Sequence, residues 1–414
     1  MTHDSIPKTI SYRPLFSLPV IVAALGYFVD VYDLLLFNIV RQPSLRDLGL
    51  SEQQVSVLGG SIYNWQQAGL LIGGIAWGVL ADRTGRLSVL FGSIITYSLA
   101  NIACGFVQDP SWYAALRFLA GLGLAGELGA GITLVSEILP QQLRGYGASI
   151  VASVGLLGTI VAYFTVALFD WRISYFIGGG LGLLLLLLRL GVVESGMFKT
   201  AQTTTTARGS LWAFVNDKTR FLRYIRCIGV GLPTYFVIGL LATFGNEFGK
   251  ALGIVGEVQS GRCVLFTFVG IVLGDIFGGL LSQVLQSRRR AIGTMISMTL
   301  LGCLYYLFGQ ITTPSTFYAV CGYLGFSIGY VALFLTVTAE SFGTNLRATA
   351  TSTVANFVRA TTLLTIPLFQ YLKPTFGVLA AGSSVGLLCF VLSYLSLYFM
   401  EETFSKDLNY VETV

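Results

Sequence analysis

The chain has 414 residues, of which 54% are hydrophobic and only 11% are charged. Soluble domains usually carry about 25% charged residues, so the composition excludes an ordinary soluble protein and indicates a polytopic protein embedded in the lipid bilayer. The net charge of +5 does not indicate nucleic-acid binding, because the basic residues follow the loops of a membrane protein. The six cysteines are scattered without a CxxC pair, so we expect neither disulfides nor a metal site.

Twelve apolar segments follow one another along the chain, and each is long enough to cross a bilayer as a helix. A spanning chain must satisfy its backbone hydrogen bonds internally, and the segments lack the period-two alternation of a membrane barrel. We therefore predict an all-α membrane protein with twelve transmembrane helices. The segments cover residues 18–40, 55–80, 87–107, 111–139, 145–169, 172–190, 222–246, 258–284, 291–310, 314–339, 349–372 and 377–400.

Lysine and arginine are concentrated in those loops that would share one side of the membrane with both termini. The positive-inside rule then predicts cytoplasmic termini for a multi-pass protein of the inner (plasma) membrane. The only long polar interruption, residues 191–221, is predicted to be a cytoplasmic linker. It would join an N-terminal six-helix half, residues 1–190, to a C-terminal half with a short tail, residues 222–414.

The two halves carry a repeated segment at the junction of their fourth and fifth helices. Glu137 and Arg144 in the first half match Glu340 and Arg347 in the second at one offset of 203 residues. Two six-helix halves related in this way are typical of a transporter, whose substrate site lies near the membrane midplane between them.

Two carboxylates, Asp30 and Asp33, lie in the middle of the first apolar segment. Their spacing puts both on nearly one side of a helix, and a charge at this depth costs several kcal/mol unless it faces water or a partner. A structural ion pair within the bundle is one interpretation. We favour a proton-binding site in a polar cavity, because the only histidine, His3, lies in the N-terminal tail and leaves carboxylates to carry a proton.

The loop between the second and third segments has the sequence GVLADRTGRLSVL over residues 78–90. Gly85 suits a tight turn, and Asp82, Arg83 and Arg86 can form an ion-pair cluster. This loop resembles the signature loop of the major facilitator superfamily. A degenerate second copy covers residues 279–290, so the resemblance extends over the whole chain and implies that family's two-half helical fold.

The fourth segment carries the sequence RFLAGLGLAGELGAG over residues 117–131. It resembles the R-x-x-x-G-x-G-x-x-G-E pattern of the metabolite:proton and sialate:proton symporter branches of that superfamily. The sequence DVYD at residues 30–33 resembles the E-W-Y-D of the metabolite branch and departs from it at the first two positions. The glycines of the fourth segment are expected to let neighbouring helices approach closely.

Arg117 and Asp33 are expected at matching depths, about 21 and 22 Å from the inner surface at 1.5 Å per helical residue. The resemblance implies that the first and fourth helices both line the cavity. Ionised Asp33 would hold Arg117, and protonation would free the guanidinium to bind a substrate carboxylate. A permanent structural pair is the alternative.

Further polar residues complete the predicted sites. Beside Arg117, the expected substrate contacts are Asn64, Gln67, Tyr235, Tyr330 and Arg359. A cytoplasmic gate is expected from Asp82, Arg83, Arg86, Glu127, Glu137, Arg144, Arg288, Glu340 and Arg347. Asp275 and Arg359, on the eighth and eleventh helices, are expected to form a pair that is either structural or functional.

We therefore predict a monomeric, proton-coupled symporter that imports a small organic anion, such as a mono- or polycarboxylate, by alternating access. The fifth segment has Gly155 and Gly158 without the proline that follows in family exporters, which favours uptake. The alternatives are a proton-antiport exporter of a siderophore or drug and a neutral-solute or sugar transporter. An enzyme is not expected, since no nucleophile–base pair or phosphate loop appears, and no cofactor beyond the coupling proton is expected.

Overall fold

The computed structural model describes residues 13–84, 86–125, 139, 144–194, 212–343, 346–404 and 412. Every regular element in this part of the chain is helical, so the protein is all-α, as predicted. After a 3-10 turn at Arg13–Phe16, the helices are α1 Leu18–Asp47, α2 Glu52–Thr84, α3 Arg86–Cys104, α4 Pro110–Leu124, α5 Arg144–Leu168, α6 Trp171–Glu194, α7 Trp212–Val215, α8 Lys218–Phe236 with a π-helical extension Val237–Ala242, α9 Gly245–Ala251, α10 Ser260–Val284, α11 Arg288–Phe308, α12 Pro314–Ile328, α13 Val331–Ser341, α14 Arg347–Ala360 and α15 Thr362–Tyr398.

Helical structure coincides with each of the twelve predicted apolar segments, within the described residues. Seven of the described helices are long and apolar enough to cross a membrane, and shorter apolar helices cover Phe91–Cys104 and Val154–Leu168. The last two segments meet inside α15, where Gly377 has a φ of 81° and interrupts the helical backbone. Only glycine adopts this conformation without strain, so the sequence marks the turn between two helices.

Local sequence sets where several helices begin. Asp109 accepts hydrogen bonds from the main-chain nitrogens of the first turn of α4, and Pro110 occupies the first helical position. Thr313 and Pro314 repeat this arrangement at α12. A side-chain oxygen before the helix satisfies otherwise unpaired N–H groups, and proline is tolerated where no intrahelical donor is needed.

Glycines bring helices into backbone contact at two corresponding places. Gly69 of α2 faces the main-chain oxygen of Phe118, and Gly121 of α4 faces that of Gln66. Between α10 and α12, Gly270 and Gly325 form the corresponding contact. The expected packing role is confirmed for Gly121 and for Gly123, which lies against α3. The remaining glycines of that motif, Gly126, Gly129 and Gly131, lie outside the described residues.

The helices pack mainly within two groups, α1–α6 and α8–α15, which we call the N-terminal and C-terminal groups. Between the groups, α1 and α5 contact α10, while α2 contacts α14 and α15. The largest cluster of buried apolar side chains extends through both groups. The predicted division into halves at residues 190 and 222 stays a prediction. The surfaces where the groups meet hold the polar residues described next.

The close contact of α2 with α4 predicts the effect of one added methyl group. Gly121→Ala should destabilise the protein by about 1–3 kcal/mol, because its Cβ would overlap the Gln66 carbonyl. Gly180→Ala is the matched control, since a Cβ at Gly180 meets nothing within 4 Å. Thermal unfolding in detergent should show a lower midpoint for Gly121→Ala alone. Equal midpoints for the two variants would contradict this packing.

Candidate functional site

Polar side chains from both groups meet around Arg359 of α14. Its Nε donates a hydrogen bond of 2.6 Å to the hydroxyl of Tyr235 on α8. Tyr27 of α1 and Tyr63 of α2 lie near enough to belong to the electrostatic surroundings of the same guanidinium. This arrangement places one cation of the C-terminal group beside aromatic residues of the N-terminal group. We call Tyr27, Tyr63, Tyr235 and Arg359 the central cluster.

The guanidinium of Arg359 is only partly satisfied within the described residues. Its Nη1 is shielded from solvent and makes no hydrogen bond there. Buried polar groups normally have partners, and a guanidinium can bind a carboxylate through two parallel hydrogen bonds. Arg359 therefore has the charge, the position and the spare donor needed to bind an anion between the two groups.

Carboxylate and amide side chains lie on the N-terminal helices that carry Tyr27 and Tyr63. Asp30 is 3% exposed and lies one helical turn after Tyr27 on α1. Gln67, also buried, lies one helical turn after Tyr63 on α2. Asn64 lies half-buried on the same helix. Asp30, Asn64 and Gln67, three of the predicted site residues, thus lie on the same two helices as Tyr27 and Tyr63.

Arg117 is held inside the N-terminal group and is fully buried. Its Nη1 donates to Oδ1 of Asn101 at 2.7 Å, and its Nη2 donates to the main-chain oxygen of Asp33 at 3.2 Å. The guanidinium also lies 5.4 Å from the ring centre of Tyr175. The matching depths expected from the sequence are thus accompanied by direct contact, made here with the backbone of Asp33. The Asp33 carboxylate packs against Gly178 of α6.

Asp275 supports a break in the transmembrane segment formed by α12 and α13. The helix stops at Ile328 and resumes at Val331, and Oδ1 of Asp275 accepts a hydrogen bond of 3.1 Å from the main-chain nitrogen of Ala332. The first N–H groups of a helix lack intrahelical acceptors, so this carboxylate satisfies one of them. Asp275 and Arg359 therefore have different partners, and no described ion pair joins them.

Tyr330 lies at the same break and is fully buried. Its hydroxyl donates a hydrogen bond of 3.0 Å to the main-chain oxygen of Val230, inside the C-terminal group. In this conformation the hydroxyl is occupied by that contact, so we leave Tyr330 out of the central cluster.

The side chains of the predicted gate residues are described only in the C-terminal group. Arg288 and Glu340 form an ion pair of 3.1 Å, and Arg347 donates to the main-chain oxygen of Ala339 at 2.9 Å. Thr403 also donates to Glu340, which ties the segment after α15 to this pair. Glu127 and Glu137 lie outside the described residues. For Asp82, Arg83, Arg86 and Arg144 the structure describes the backbone but not the side chains.

Sequence reasoning missed Tyr27 and Tyr63. An isolated aromatic residue in an apolar helix usually contributes to packing, so neither tyrosine was predicted to be a site residue. A signal was nevertheless present, because Tyr27 precedes Asp30 by three residues and Tyr63 precedes Gln67 by four. These spacings place each tyrosine on the same helical face as a polar residue.

Known transport proteins are similar to this chain over most of its length. The family model described as the Major Facilitator Superfamily matches residues 23–365. The chain is 28% identical over 82% of its length to a putative metabolite transport protein of Haemophilus influenzae, covering 84% of that protein. It is 28% identical to a probable 4-methylmuconolactone transporter of Cupriavidus pinatubonensis, over 78% of this chain and 76% of the relative. It is 26% identical to a cis,cis-muconate transport protein of Acinetobacter baylyi, over 88% of each chain.

The contact between Asp275 and Ala332 predicts how two substitutions differ. Asp275→Asn keeps a side-chain oxygen and should leave the unfolding midpoint close to that of the unaltered protein. Asp275→Ala leaves the Ala332 N–H without its acceptor, which costs about 1–3 kcal/mol. Thermal unfolding in detergent compares them. An Asn variant as unstable as the Ala variant would show that the negative charge, rather than the hydrogen bond, is what the fold requires.

Proposed function

The chain belongs to the Major Facilitator Superfamily, and from this premise we propose that it imports a small organic anion together with a proton. It is a transporter rather than an enzyme, and its apolar helices make it a multi-pass membrane protein. The observation that carries the proposal is the Arg359 guanidinium, shielded between the two helix groups with a spare donor. A neutral solute would leave this cation without a counter-charge, so an anion fits it better.

The names of the relatives support the same substrate class. cis,cis-Muconate has two carboxylates, and 4-methylmuconolactone has one beside its lactone ring. In this chain Arg359 would bind the substrate carboxylate through Nη1, while Tyr235 fixes the guanidinium. Tyr27 and Tyr63 would contact the flat body of the substrate, and Asn64 and Gln67 would bind its other polar groups.

Coupling is proposed to use Asp30 and Asp33. Asp30 lies one helical turn from Tyr27, so its charge would act close to the place where the substrate would bind. Asp33 is fully buried, and Arg117 is bound to its main chain. Because Arg117 uses both terminal nitrogens for protein contacts, we assign it to positioning Asp33 and not to direct substrate contact. A buried carboxylate near an arginine can be tuned between its charged and neutral forms.

The proposed orientation follows the distribution of basic residues. The end of the bundle that holds the loop between α1 and α2 would face outwards, and both termini would face the cytoplasm of the inner membrane. Arg288, Glu340 and Arg347 would then stabilise the cytoplasmic ends of the C-terminal helices. Together with the predicted partners on the N-terminal side, they would close the inner end of the pathway. We propose that a monomer is sufficient for transport.

Transport by the purified protein in liposomes tests the proposal. With an inward proton gradient, the protein should accumulate at least one of benzoate, nicotinate and cis,cis-muconate, and should not do so without the gradient. Asp33→Asn imitates the protonated form permanently. It should abolish accumulation but retain exchange of internal for external substrate, because exchange does not require proton release.

The control is Asp47→Asn, which changes an exposed carboxylate on the same helix and should leave accumulation intact. Failure to accumulate any organic anion would contradict the proposed substrate class. Full accumulation by Asp33→Asn would remove Asp33 from coupling and leave Asp30 as the remaining candidate on α1.

A further inference from the structure

One end of the helix bundle is closed by contacts that cross between the two groups. We call it the loop end, formed by residues 41–56, 243–257 and 370–373. Arg41 of α1 is fully buried there. Its Nη2 donates to the main-chain oxygen of Thr243 at 2.8 Å and to Oδ1 of Asn246 at 3.2 Å. Its guanidinium lies 4.1 Å from the ring centre of Phe244.

Glu247 of α9 connects this arginine to a second cation. One carboxylate oxygen lies 3.8 Å from Nη1 of Arg41, and the other accepts a hydrogen bond of 2.8 Å from Nζ of Lys373 on α15. The same Nζ donates to Oγ of Ser56 on α2 at 2.7 Å. Four residues, two from each group, therefore form one network. We call Arg41, Ser56, Glu247 and Lys373 the Glu247 lock.

We propose that the Glu247 lock closes the outer end of the transport pathway and must break before substrate can enter from outside. The inference rests on the alternating access and the orientation proposed above, and it does not depend on which anion is carried. Glu247 is the central residue, because its carboxylate compensates a cation from each helix group.

The contacts of the Glu247 lock are expected to contribute little net free energy to the closed form. Nε and Nη1 of Arg41 are buried and make no hydrogen bond within the described residues. Burying a cation costs several kcal/mol, and the 3.8 Å approach of Glu247 offsets only part of this. Opening would hydrate all three charges, so the closed and open forms are expected to differ by a small free energy.

A local irregularity lies directly beside the lock. The π-helical segment Val237–Ala242 ends at Thr243, whose carbonyl is an acceptor for Arg41. Single π-helical turns inside membrane helices often mark functional sites. Conversion of this turn to α-helix would rotate the carbonyl and the following helix α9 relative to Arg41. A change of backbone conformation in this segment would therefore break the contacts of Arg41 in the Glu247 lock.

A second set of charges also crosses between the groups at the loop end, but it is exposed. Glu52 accepts hydrogen bonds from Arg46 at 2.7 Å and Lys250 at 3.0 Å. These bonds, that of Arg46 foremost, lower the pKa of Glu52 to about 2, so it is ionised at neutral pH. The side chain of Glu52 is 53% exposed, whereas that of Glu247 is 13% exposed. Exposed pairs contribute about 0–1 kcal/mol, so Glu52 provides a matched control.

The test measures the width of the loop end by electron paramagnetic resonance. Spin labels are attached to cysteines introduced at Gln53 and Val255, which are exposed and belong to different groups. The six native cysteines are buried, and the unsubstituted protein gives the labelling background. Distances are measured in lipid discs without substrate or proton gradient, so failure of the transport proposal would not affect the result.

The unaltered protein should show mainly the short distance. Glu247→Gln leaves Arg41 and Lys373 without a counter-charge, so the ratio of long to short distances should rise at least about tenfold. Glu52→Gln should leave the distribution unchanged. The double substitution Glu247→Gln with Arg41→Gln also removes the bonds that Arg41 makes across the two groups, so it should be at least as open as Glu247→Gln.

An unchanged distribution in Glu247→Gln would overturn the lock, as would equal opening in Glu52→Gln. A double variant that returned to the short distance would overturn the lock, because the loop end would then close without the contacts of Arg41 and Glu247. Loss of folding would give a broad distance distribution without a cooperative thermal unfolding transition, whereas opening gives a distinct long distance with that transition retained.

Discussion

The cost of burying a positive charge within a membrane protein governs the arrangement of this molecule. A cation at bilayer depth needs water, a hydrogen-bond partner or a counter-charge. Three arginines meet this requirement in different ways. Arg117 is held by Asn101 and by the backbone of Asp33. Arg41 is held by residues of the opposite helix group. Arg359 is held by Tyr235 and keeps a spare donor between the groups.

The different partners of these three arginines indicate a different role for each of them. A cation whose partners lie in its own helix group is fixed when the groups move, and Arg117 is suited to positioning a proton-binding residue. A cation whose partners lie in the opposite group loses them when the groups separate, which suits Arg41 to a lock. A cation with an unfilled donor at the meeting surface is suited to binding a mobile anion. Movement of the two groups would therefore change the surroundings of Arg41 and Arg359 but not those of Arg117.

Composition and run length were sufficient to predict the helices, because a membrane-spanning chain has few ways to satisfy its backbone. Depth arithmetic and the family resemblance together predicted that Arg117 and Asp33 lie close to each other. They could not predict that the contact involves the Asp33 carbonyl, which depends on side-chain conformation and on Asn101. The role of Asp275 could not be predicted from the sequence either. The helix break between Ile328 and Val331 lies inside one continuous apolar segment and leaves no sign in its composition. The contacts of Arg41 could not be predicted from the sequence, because its partners lie about 200 residues further along the chain.

The central claim is that Arg359 binds the carboxylate of a transported anion. Calorimetric titration of the purified protein can compare the best-accumulated carboxylate with its primary amide, which has nearly the same shape and no charge. The unaltered protein should bind the carboxylate at least about tenfold more tightly, as expected for a hydrogen-bonded charge pair worth about 1.5–3 kcal/mol. Arg359→Gln should lose this preference by weakening carboxylate binding alone. An undiminished preference for the carboxylate in Arg359→Gln would contradict the account.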